Sequence, residues 1–207
     1  MNNRKNTLMI VLFYGGLWGV MEATLGYALH LLPCGFAGMF MFPLGFYFMY
    51  NAFKSTDQHR VIFFTAVVAA SIKLTDLLIP LNTITSVANP AVSIILEGLV
   101  VFAGVKIMAG RRNFAMPFLV SLAWTVLFPA IQSLILQPPN GLYQESPFTL
   151  FSFVIITTLF SGILISTYLK KGEIISIFKL KFQKLNLLAM VVPGAAVIFE
   201  LGNSIIF

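Results

Sequence analysis

The chain is 207 residues long, 58% hydrophobic and 10% charged, with a mean hydropathy of +0.92. Soluble domains are about a quarter charged, so this composition excludes an ordinary globular domain and points to an all-α polytopic membrane bundle. The single cysteine, Cys34, excludes a disulfide framework and a cysteine-built zinc or iron–sulfur set.

Seven apolar segments are long enough to be read as spans, at 7–31, 35–53, 61–80, 88–109, 114–136, 147–169 and 187–207. The first follows a basic start that resembles a signal peptide. Its apolar stretch is as long as a full span and no small-residue cleavage site follows, so an uncleaved helix is expected. It carries Trp18 and Glu22, with Gly15, Gly19 and Ala23 at four-residue spacing. "LLPCG" joins it to the second segment, and "KSTDQHR" (54–60) leads to the third, where Lys73 and Asp76 stand three residues apart in "AASIKLTDLLIP". Ala66 and Ala70 give that segment a small-residue face of its own. The fourth segment carries Asn89, Ser93 and Glu97 at helical spacing, and the fifth carries Thr125, Pro129 and Gln132 along one side. After the sixth, residues 170–186 alternate lysines with Ile174, Ile175, Phe178, Phe182 and Leu185, which predicts a basic amphipathic helix on the membrane surface. The seventh contains Glu200, with Asn203 one turn beyond.

The basic residues orient this threading. Of the thirteen Lys and Arg, all but Lys73 fall on one side of a seven-span path, in the N-terminus, "KSTDQHR", the "AGRRN" region and 170–186. By the positive-inside rule that side is the cytoplasm, with the N-terminus in it. The net charge of +6 is thereby explained without nucleic acid. The chain reads as a single integral domain, 1–207, of the cell membrane.

Five ionisable side chains then lie inside spans: Glu22, Lys73, Asp76, Glu97 and Glu200. A charge in the hydrocarbon costs at least about 2.5 kcal/mol, so such residues face a protein interior or water. At about 1.5 Å per residue, Glu22, Lys73, Asp76 and Glu200 fall in the outer half of the membrane and Glu97 near its middle. Four carboxylates against one ammonium must hold protons, bind a cation or cationic ligand, or take up water. Asn89 shares a face with Glu97, and His30 lies two turns beyond Glu22 on a count by fours. A polar pocket above an apolar plug is expected, with Trp18 as its apolar or stacking floor. Lys73 either orients an acidic group there or simply neutralises Asp76. Glu22 with His30, or Cys34 alone, is the most that the residues offer a metal. No phosphate loop, GxSxG, HExxH or CxxC occurs, so no cofactor is expected and any ATP must be used by another chain.

A small, very apolar bundle with Gly15, Gly19 and Ala23 in "GGLWGVMEATLG" resembles the substrate-binding (S) components of energy-coupling-factor transporters. The resemblance implies a vitamin or metal held near the outer surface and docking, through those small residues, onto a separate transmembrane subunit served by ATPases. Members of that family usually have six spans, whereas this chain reads as seven. The residues themselves favour a subunit that takes up a small solute. They leave three alternatives: a non-catalytic membrane assembly subunit, an intramembrane enzyme on a lipid-like substrate with Glu22 or Asp76 as acid and base, or a proton-coupled carrier working alone.

Overall fold

The computed structural model describes residues 2–30, 35–79, 83–107, 114–138, 141–171 and 182–206. Among them the chain is helical apart from short turns and contains no strand. The helices are α1 (Asn2–Met21), α2 (Tyr27–His30), α3 (Phe36–Thr56), α4 (Arg60–Lys73), α5 (Ile84–Ile107), α6 (Met116–Ile131), α7 (Pro147–Lys171) and α8 (Phe182–Ile206). A π-helical turn, Glu22–Gly26, joins α1 to α2, and a second, Gln132–Leu136, extends α6. A 3₁₀ turn, Leu74–Leu78, extends α4. The seven apolar segments thus become seven long helical runs. Cys34, Arg111, Arg112 and residues 172–181 of the expected amphipathic helix lie outside the described residues, as do the side chains of His30 and Asn203.

Arg4–Gly26, Arg60–Leu78, Ile84–Ile107, Met116–Leu136 and Pro147–Lys171 are each long and apolar enough to cross a membrane. Their outward faces are apolar too: Leu78, Ile107, Leu134 and Phe148 are each at least 75% exposed. A surface of this kind is stable only against lipid or another protein. The fold defines a helical membrane protein.

The described apolar part of α8, Leu187–Gly202, is shorter. α3, at 21 residues, is long enough but carries Pro43, Tyr47, Tyr50 and Asn51 within its run. It packs against α1, α4, α5 and α7, and Phe42, Phe46, Met49 and Ala52 are completely buried. A helix enclosed by protein does not need the hydropathy of one that faces lipid.

Small residues set how closely the helices approach. A Cβ on Gly15 would stand 2.6 Å from the Val68 Cβ, and one on Gly19 would stand 2.6 Å from Ile72 Cδ1. Ala23 is buried as well. Gly15 and Gly19, expected as part of a docking face, therefore pack against α4 of the same chain. Ala66 of α4 is matched in turn by Gly98 of α5, while Gly16 receives the ring of Pro193 and seats α8 on α1. Gly15→Ala should accordingly lower stability by about 1–3 kcal/mol, the usual cost of overpacking. Gly194→Ala on α8, with nothing within 4 Å of the new methyl, should be neutral or stabilising by up to ~1 kcal/mol. Thermal unfolding of the two variants in detergent tests the pair; equal shifts would refute the packing assignment.

Several buried hydroxyls are satisfied by backbone carbonyls. Thr65 donates to the Val61 carbonyl at 2.8 Å and Ser121 to that of Pro117 at 2.8 Å, while Ser161 reaches the Met39 carbonyl on α3 at 3.2 Å. These bonds remove the cost of placing hydroxyls in an apolar interior. The ionisable groups are held differently.

Candidate functional site

The five ionisable residues separate into two groups. Glu22 and Glu97 line a cavity of about 320 Å³. Lys73, Asp76 and Glu200 do not line it; they form a buried triad between α4 and α8.

Each wall of the cavity has a local origin. Glu22 is the first residue of the π-helical turn after α1, and Gln132 the first of the π-helical turn after α6. Such turns insert a residue into the helical repeat and re-aim the side chains around it, and they recur at functional sites. Asn89, Ser93 and Glu97 descend one face of α5, with Pro90 beside Asn89. Gly35 and Gly38, at the start of α3, leave room for the aromatic rings opposite: a Cβ on Gly38 would stand 2.5 Å from Trp124 Cη2. Trp124, Phe128 and Phe153 supply an aromatic wall. Trp124 stacks on Phe128 with centroids 5.6 Å apart and planes at 8°, and on Phe42 at 5.1 Å and 20°.

The polar groups are held by specific bonds. Trp18 Nε1 donates to Glu22 Oε1 at 3.2 Å, and Ser93 Oγ donates to Glu97 Oε1 at 3.3 Å. Gln132 Nε2 donates to Asn89 Oδ1 at 2.8 Å, while Gln132 Oε1 accepts the backbone N–H of Leu142 at 3.0 Å. That last bond holds Leu142, which also lines the cavity, to Gln132. Two buried polar atoms of the lining residues have no hydrogen-bond partner among the described residues: Glu97 Oε2 and Trp124 Nε1. Gly45 lets Glu97 sit this close to α3, since a Cβ there would lie 2.9 Å from Glu97 Oε2 and 2.5 Å from Trp18 Cζ2.

The triad is built differently. Lys73 Nζ donates to Asp76 Oδ2 at 2.9 Å and is also paired with Glu200. The i to i+3 pairing expected along one helix is present, and a partner from α8 is added to it. The triad ties the C-terminal part of α8, which packs mainly on α1, to α4.

Of the sequence candidates, the structure brings Glu22, Glu97 and Asn89 to the cavity and places Lys73, Asp76 and Glu200 beside α8. Trp18 is completely buried and stands behind Glu22, where it orients the carboxylate instead of forming a floor for a ligand. The count from Glu22 to His30 crosses the π-helical turn, which breaks the simple spacing by fours. The wall that sequence reasoning missed is Trp124 and Phe128. They precede Gln132 by eight and four residues, so counting back from that glutamine would have found them. Phe153 has no comparable signal, because its place depends on how α7 packs.

Among the described residues no group of three or more His, Cys, Asp or Glu could hold a metal ion. No protein-family model, no curated protein and no solved structure matches the chain. What the protein does must therefore be argued from the cavity.

Proposed function

We propose that this is a multi-pass protein of the cell membrane, with seven spans and a cytoplasmic N-terminus, that binds a small solute from outside as the substrate-recognition subunit of a transporter. The observation that carries the reading is the cavity itself, with two buried carboxylates and a polar amide pair set against an aromatic wall. Its volume of about 320 Å³ lies at the small end of ligand sites, which run from ~300 to 1,000 Å³. Its residues belong to the end of the bundle where α1, α4 and α6 finish and α3, α5 and α7 begin. Lys54, Arg60, Lys106, Lys170 and Lys171 lie exposed toward the opposite end. Under the positive-inside rule the cavity belongs to the outer half of the membrane. The sequence contains no nucleotide-binding motif, so ATP-driven uptake would use a further transmembrane subunit and ATPases, as the resemblance to energy-coupling-factor S components implies. Because Gly15 and Gly19 pack against α4, such a subunit would dock elsewhere on the apolar exterior.

The decisive experiment is small-molecule mass spectrometry on protein purified in mild detergent, wild type beside Glu97→Gln. A stoichiometric compound in the wild type, lost from the folded variant, is the expected result. An empty wild type together with a variant that is merely less stable would remove the binding reading and leave the cavity as a packing defect with structural carboxylates.

A further inference from the structure

Resting on the substrate-binding reading above, we infer that the cavity takes a compact organic cation: an ammonium-type group attached to a flat apolar body that also carries a hydrogen-bond acceptor.

The sign of the charge follows from the wall. Glu22 and Glu97 both line the cavity, and no Lys, Arg or His stands among its described lining residues. The nearest ammonium identified, that of Lys73, is already engaged by Asp76 and Glu200 outside the cavity. A carboxylate withdrawn from water without a partner is among the most costly groups a fold can contain. Glu97 is 2% exposed, and its Oε2 has no partner among the described residues. A ligand N–H bearing positive charge completes that atom; an anionic ligand would add to the imbalance.

The rest of the wall separates an organic cation from a metal ion. A hard cation needs six or more oxygen ligands, or a few waters held by carboxylates. Here the described residues offer no group of three ionisable ligands, and Trp124, Phe128 and Phe153 make part of the lining aromatic. Trp124, Phe128 and Phe153 line the cavity with aromatic carbon, an apolar surface for the body of the ligand. Trp124 Nε1 is itself buried and unpartnered among the described residues. An indole N–H left so carries the desolvation cost of an unmade bond, and an acceptor on the ligand would remove it. The cavity volume fits a molecule of one or two rings.

The test uses three probes that share a 4-hydroxyphenyl body and differ in charge: tyramine, 2-(4-hydroxyphenyl)ethanol and 3-(4-hydroxyphenyl)propanoate. Their stabilisation of the full-length protein in detergent is measured as a concentration-dependent rise in melting temperature, which yields an affinity by mass action. Tyramine is expected to bind at least about tenfold tighter than the alcohol, with no stabilisation by the acid. In Glu97→Gln the preference for tyramine over the alcohol should fall below about threefold. The wild-type ranking decides the matter alone if that variant does not fold. An alcohol or acid that binds as well as tyramine overturns the inference, and so does a protein indifferent to tyramine at millimolar concentration. If a neutral or anionic compound co-purifies with an indifferent protein, the cation assignment fails while the binding reading stands. An empty protein that ignores all three probes ends both.

Discussion

Lys73→Met should destabilise the folded protein by about 3–5 kcal/mol, the cost of removing one partner from a buried ion pair and leaving the other uncompensated. Here the loss is compounded, because one ammonium serves two carboxylates. The side chains of Lys73, Asp76 and Glu200 are only 15%, 6% and 4% exposed, so water cannot replace the missing charge. Single neutralisation of a carboxylate should cost less, since Asp76→Asn still leaves the ion pair with Glu200, and Glu200→Gln still leaves the pair with Asp76. The triple variant Lys73→Met, Asp76→Asn, Glu200→Gln removes every charge and should recover much of the stability lost by Lys73→Met alone. Thermal unfolding in detergent, followed by tryptophan fluorescence, measures the series. A wild-type melting temperature for Lys73→Met would show that the triad bears no load. Since none of the three residues lines the cavity, the triple variant should also keep its ligand, and this separates the triad from the site.

The second large effect is expected at Trp18. Trp18→Ala removes a completely buried indole and should cost about 3–5 kcal/mol. Trp18→Phe tells more. It keeps most of the ring but deletes the N–H that Glu22 Oε1 accepts at 3.2 Å, leaving a buried carboxylate short of a donor at a cost of about 1–3 kcal/mol. The carboxylate then loses its fixed orientation in the cavity wall, so ligand affinity should fall although Trp18 does not line the cavity. In a Glu22→Gln background, Trp18→Phe should weaken binding far less than it does alone, because the two residues act as one unit. Additive losses in the double variant would mean that Trp18 acts on the ligand by a separate route. Unfolding curves and probe titrations on the four proteins settle it.

The helical class and the positions of the seven helical runs are legible in the apolar segments, because a backbone surrounded by hydrocarbon must satisfy its own hydrogen bonds and does so as helix. Depth is legible as well: a fixed rise per residue places Glu22, Asn89 and Gln132 toward one end of the bundle and Glu97 near its middle without any structure. What cannot be read from one chain is the direction each helix faces. Glu97 and Glu200 both read as buried carboxylates, yet one lines a cavity and the other is held by Lys73. The difference lies in which neighbours α5 and α8 have, and helical periodicity does not encode neighbours.

Three local features show where spacing rules give out. At Glu22–Gly26 and at Gln132–Leu136 the helix takes a π-turn, so residues beyond those points no longer repeat by threes and fours. At Gly15 and Gly19 the same small-residue pattern suits packing inside the bundle and docking outside it; the position of Val68 and Ile72 decides for packing. The sequence by itself determined a membrane-embedded helical bundle with a basic end and a set of buried acids, because hydropathy, rise per residue and the cost of intramembrane charge are properties of a chain in a bilayer. Only the tertiary structure decided that two of those acids face a cavity with Trp124 while two neutralise Lys73, because that choice rests on how helices distant in sequence are rotated and pressed together.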